Sequence, residues 1–114
     1  IMLSPVNDMI IDENIYCAID EEVVKLFKGS RQDFQLEQSN TPIKFNRIYT
    51  SLNSQFFYAL DFENSRLVKY DKASGSIIKQ YFSEKIKNAI SFSVNNQDTT
   101  AYVATSDSLI SIAL

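Results

Sequence analysis

The chain has 114 residues, 45% of them hydrophobic and 22% charged, with a net charge of −3; that length and balance suit one folded domain and exclude disorder. Its basic residues are scattered, which excludes a stripe that neutralises a run of phosphates and so disfavours nucleic acid, and no apolar run is long enough to cross a bilayer. Histidine is absent, which removes the commonest general base and metal ligand, and with them Ser-His and Cys-His nucleophiles.

In chain order, β-branched and aromatic residues recur in short blocks separated by polar turn residues, the pattern of strands. The first group of blocks predicts strands over Asp8–Asp12, Ile15–Ile19, Val23–Phe27 and Gln32–Leu36, linked by Glu13-Asn14, Asp20-Glu21-Glu22 and a turn at Gly29. Cys17 lies inside one of these runs and is expected to pack as a small hydrophobe, with no internal disulfide. The stretch Glu37–Lys44 links this group to a second, with strands predicted over Arg47–Leu52, Phe56–Asp61, Leu67–Asp71 and Ile77–Phe82. Next comes Ser83–Asn88, in which Glu84-Lys85-Ile86-Lys87 has the composition of a helical turn. A third group predicts strands over Ala89–Val94, Ala101–Thr105 and Leu109–Leu114 and lacks a fourth.

These groups are copies of one unit. Tyr16, Tyr58 and Tyr102 stand 42 and 44 residues apart, each followed seven to nine residues later by another apolar run, and Gly29 and Gly75 fall at the same phase. That period is the one expected of four-stranded β-propeller blades. The expected fold is therefore all-β: two full and one partial four-stranded antiparallel blades of an incomplete ring, a single segment over 1–114 with repeats at about 8–37, 45–83 and 88–114. A β-sandwich is the alternative for this strand density. The strand missing from the third repeat would come from Ile1–Val6 or from another chain.

The second repeat carries a family resemblance. Tyr58-Ala59-Leu60-Asp61 followed by Phe62-Glu63-Asn64-Ser65-Arg66 and Leu67-Val68-Lys69-Tyr70-Asp71 resembles the blade core of NHL-type propellers, in which a strand ending in Asp meets an Asn-x-Arg turn and a second apolar strand. The likeness is best over residues 45–83, partial over 88–114 and weak over 8–37. It lacks the glycine that usually precedes the Asn-x-Arg turn, and no Trp-Asp pair marks a WD-type blade. Segments of this style also resemble the C-terminal blades of bacterial propeller proteins.

The resemblance implies a platform whose loops present a rigid surface to a protein partner or to further blades of the same protein, with a homo-oligomer of half-rings as another arrangement. It points to no enzyme and no cofactor; the alternative is a scaffold segment of a propeller enzyme, or of a sugar- or ion-binding propeller, whose active groups lie outside these residues. Asp61 and Arg66 flank one turn and are expected to pair as an exposed ion pair that pins the hairpin. Phe62, Glu63, Asn64 and Arg66 form the candidate partner surface, with Phe62 as its exposed anchor. The acids Asp12-Glu13 and Asp20-Glu21-Glu22 bracket one strand at opposite ends and are expected to be a solvated edge, without the spacing of a cation loop. Rings in Phe56-Phe57-Tyr58 and Tyr81-Phe82 are expected in the core.

Overall fold

A computed structural model describes residues 5–114. It is all-β, with eleven strands in three antiparallel sheets of four, four and three. The first sheet runs β1 (Asp8–Ile11), β2 (Ile15–Ile19), β3 (Glu22–Phe27), β4 (Ser30–Gln32); the second runs β5 (Arg47–Tyr49), β6 (Phe56–Asp61), β7 (Arg66–Asp71), β8 (Ile77–Phe82). The third holds β9 (Ala89–Val94), β10 (Thr100–Thr105) and β11 (Leu109–Ala113), also in sequence order. Each sheet is thus a meander, and three stacked sheets replace the two of a sandwich.

The second sheet lies between the other two, and its central strand shows why. Phe57 and Ala59 face a core shared with Tyr16, Ala18 and Val23 of the first sheet, whereas Tyr58 and Leu60 face a core shared with Val94, Ala101 and Val103 of the third. A strand buried on both faces needs apolar residues at consecutive positions, as Phe57-Tyr58-Ala59-Leu60 supplies. The sheets approach most closely at their first strands, β1 against β5 and β5 against β9. From there the links return the chain from an outer strand to the next inner one. Ile43 and Phe45 of the first link are buried in one core, and Ile86 of the second, inside a 3₁₀ turn over Glu84–Asn88, is buried in the other.

Some boundaries differ from the sequence expectation. The fourth strand of the first repeat is Ser30–Gln32, not Gln32–Leu36, because Lys28 and Gly29 both have positive φ and close a two-residue turn that pairs Phe27 directly with Ser30. Residues 33–39 are irregular, although Phe34 and Leu36 still pack on the core. Strand β5 stops at Tyr49 and does not reach Leu52, since Thr50 turns its hydroxyl onto the Phe56 carbonyl at 2.9 Å and Leu52 is exposed. Phe82 is 70% exposed, against the expectation of a core ring. The proposal that Ile1–Val6 completes the third sheet falls mainly on residues 1–4, outside the described residues; Pro5 and Val6 belong to no strand.

Candidate functional site

The turn singled out by sequence is built inward. Asp61 ends β6 and Arg66 begins β7, and their pair (Nε to Oδ2, 3.0 Å) is buried, not exposed as expected. Arg66 donates further to Ser39 Oγ at 2.9 Å, Gln80 Oε1 at 3.0 Å and the carbonyls of Thr41 and Pro42 at 2.8 and 3.0 Å. All five N–H groups of the guanidinium are engaged, and most bind the link between the first two sheets. Asn64 closes the turn by donating Nδ2 to Asp61 Oδ2 at 2.8 Å. Phe62 is half-buried against the second core under the Arg47 guanidinium, 5.4 Å from the ring centroid. It is therefore no exposed anchor. Of Phe62, Glu63, Asn64 and Arg66, only Glu63 is exposed, and the four do not make one outward patch.

The inner strands carry a second set of polar groups. Register puts Asp8, Arg47 and Ser91 at one level, opposite Ala18, Leu60 and Ala104. Two of them reach the next sheet: Asp8 Oδ2 accepts the Ile48 amide at 2.9 Å, and Arg47 Nε donates to the Ile90 carbonyl at 3.0 Å. Together with Tyr49 and Phe92 they line a shallow groove along the inner strands.

A third set lies at the first turn of each sheet, where Asp12, Ser54 and Asp98 all stand four residues before the repeated tyrosine. Asp98 Oδ1 accepts the hydroxyls of Tyr58 at 2.8 Å and Ser54 at 2.9 Å, joining the second and third sheets. Asp12 Oδ2 takes the Lys72 ammonium at 2.6 Å and the Tyr16 hydroxyl at 3.3 Å, joining the first and second. Asp12 is hence a buried cross-link, not part of a solvated edge. Sequence reading missed it because Lys72 is 60 residues away; the shared offset from the tyrosines was the available signal.

Burial by itself raises the Asp12 carboxyl, but the hydrogen bonds from Lys72 and the Asn14 amide, with the Lys72 charge, outweigh it and hold the group below its ordinary 3.8. Tyr16 is pushed up to about 12, first by burial and then by the charge of Asp12. A carboxyl with a lowered folded pKa contributes stability above its unfolded pKa and loses it as pH falls through the folded value. Unfolding free energy should therefore drop with acid below about pH 4. Asp12→Asn should be less stable at pH 7 yet flatter across that window; urea titrations at pH 7 and pH 3 that keep the two chains parallel would refute the assignment.

Among the described residues no three Asp, Glu or Cys side chains gather closely enough to hold a metal ion. No described helix is long and apolar enough to cross a membrane. No known protein family and no curated protein matches the chain.

Exposed apolar side chains lie on all three sheets, including Met9, Ile11, Ile15 and Phe27 on the first, and the third sheet has an exposed group of its own. On its face away from the second sheet, Ile90 is 53%, Tyr102 43% and Leu109 67% exposed, whereas Tyr16 and Tyr58, at the level of Tyr102, are fully buried. The difference is what covers them. Tyr16 packs on Phe57 of the following sheet at 5.3 Å, and Tyr58 reaches Asp98 of the sheet after it.

Proposed function

We propose that the chain is a non-enzymatic interaction scaffold made of NHL-like β-propeller blades, working within a larger ring or assembly. The observation that carries this reading is the repeated joint between successive sheets: an inner-strand residue reaches the next first strand, as Asp8 and Arg47 do, and a tyrosine face is covered by the following sheet. In the third sheet the corresponding residues, Ser91 and Tyr102, face outward beside Ile90 and Leu109. An apolar sheet face of this kind is a surface for association. The polar groups that might suggest chemistry are committed to structure: Asp12 to Lys72, Asp61 to Arg66, Asp98 to Tyr58.

Sedimentation of the chain over a range of concentrations tests this. Association should be concentration-dependent, and Ile90→Lys with Leu109→Lys should return the chain to monomer while leaving its unfolding midpoint nearly unchanged, because both side chains are exposed. A monodisperse monomer that binds no hydrophobic dye would defeat the scaffold reading.

A further inference from the structure

A cleft of about 380 Å³ opens between the first two sheets, lined by Lys25 of β3 and by Ser54, Gln55, Asp71, Lys72 and Ala73 of the second sheet. That volume is in the range of small-molecule sites. Two half-buried lysines converge on it. Lys25 Nζ stands 5.8 Å from the centre of the Tyr16 ring and 5.6 Å from that of Phe34, and Lys72 Nζ stands 5.8 Å from the Tyr16 ring.

The two ammonium groups are compensated unequally. Lys72 gives two of its three N–H groups to Asp12 Oδ2 at 2.6 Å and the Ser51 carbonyl at 3.0 Å, which leaves one to donate. Lys25 pairs with no carboxylate among the described residues. Asp71 does not supply one. Its Oδ2 accepts the amide and the hydroxyl of Ser74 at 2.8 and 2.6 Å, and it lies directly opposite Phe56, on the sheet face that packs toward the second core. With Asp12 neutralising Lys72, the cleft keeps one positive charge, that of Lys25.

The second joint shows what such a place takes. Tyr58 pairs with Lys69 there as Tyr16 pairs with Lys25, and Asp98 reaches back from the third sheet to put a carboxylate on the Tyr58 hydroxyl at 2.8 Å. The counterpart of Asp98 in the first joint is Ser54, which is neutral and turns its hydroxyl away onto Asp98 at 2.9 Å. The first joint therefore has the tyrosine and the lysine of the second without a carboxylate from the following sheet.

We propose that this cleft binds a small organic carboxylate, held by the Lys25 ammonium and by the remaining N–H of Lys72. A monoanion matches the single uncompensated charge, whereas a dianion would add repulsion from Asp12. The volume leaves room for a short hydrocarbon body beyond the carboxylate. The site stands on the joint alone and does not depend on the scaffold reading.

Titration of the isotope-labelled 114-residue chain with sodium acetate at neutral pH, against sodium chloride at equal ionic strength and against inorganic phosphate, tests this through the amide resonances of Lys25, Gln55, Lys72 and Ala73. Acetate should move them along saturating curves with a dissociation constant in the millimolar range, chloride should not, and phosphate should bind more weakly. Lys25→Met keeps an apolar stem over the two rings and removes the charge, so it should weaken acetate by about tenfold or more. Lys79→Met, at an exposed lysine outside the cleft, should leave acetate binding unchanged. Should Lys25→Met fail to fold, an intermolecular NOE from the acetate methyl group to the Lys25 or Ala73 side chain decides. Four outcomes overturn the proposal: no saturation up to about 0.1 M acetate, equal shifts with chloride, which means an adventitious ion only, tighter binding of phosphate than of acetate, or undiminished acetate binding by Lys25→Met.

Discussion

Arg66→Met is expected to destabilise the protein by about 3–5 kcal/mol, the range for breaking a buried ion pair from one side. The loss has two sources. Asp61 stays fully buried with its charge compensated only by neutral donors, the Asn64 side chain and the amides of Asn64 and Lys44. The link between the first two sheets also loses its anchor, since Arg66 holds Ser39 and the carbonyls of Thr41 and Pro42. Arg66→Lys should recover little of this, because one ammonium cannot reproduce the planar fork that meets these acceptors together. The Arg31–Glu22 pair is the internal control: its side chains are 56% and 58% exposed at 3.7 Å, and Arg31→Ala should cost less than about 1 kcal/mol. Urea unfolding followed by circular dichroism gives all three values, and similar losses at Arg66 and Arg31 would refute the structural role.

Gly75→Ala should cost about 2–4 kcal/mol, against about 1 kcal/mol for Gly29→Ala. Both glycines lie in the turn between the third and fourth strands of their sheets with positive φ, +77° at Gly75 and +80° at Gly29, so both substitutions carry the strain of a left-handed L-residue. Only one also meets an obstacle. A Cβ on Gly29 would touch nothing, whereas on Gly75 it would run into the Gln35 carbonyl and lie 2.9 Å from its carbon. Backbone cannot step aside as a side chain does. Gln35 adjoins Leu36, which packs on the first core, and Glu37 donates its amide to the Gly75 carbonyl at 2.8 Å. Thermal unfolding of the two variants side by side gives the test; equal midpoints would show that the close approach to Gln35 contributes nothing.

Most of the architecture was legible because its signals are local. The tyrosine spacing, the short blocks of β-branched and aromatic residues, and the composition of Glu84–Lys87 placed the helical turn and nine of the eleven strands within a residue or two; the fourth strand of the first repeat and the first strand of the second were misplaced by more. Two strand ends were missed through local turn chemistry, at Lys28-Gly29 and at Thr50, and the burial errors arose where a neighbouring segment intervened. Phe62 reads as a turn residue and is covered by the core and Arg47, while Asp61 and Arg66 read as a surface pair until the 37–44 link is laid over them.

Buried and open positions divide in the same way. By itself the sequence determined that this is an all-β chain of repeated strand groups, since strand period and turn chemistry act over a few residues. Only the tertiary structure decided which of the repeated positions are joints and which remain open. Tyr16, Tyr58 and Tyr102 are the same residue at the same phase, yet two are buried and one is 43% exposed, because burial depends on the sheet packed opposite and not on the residues alongside.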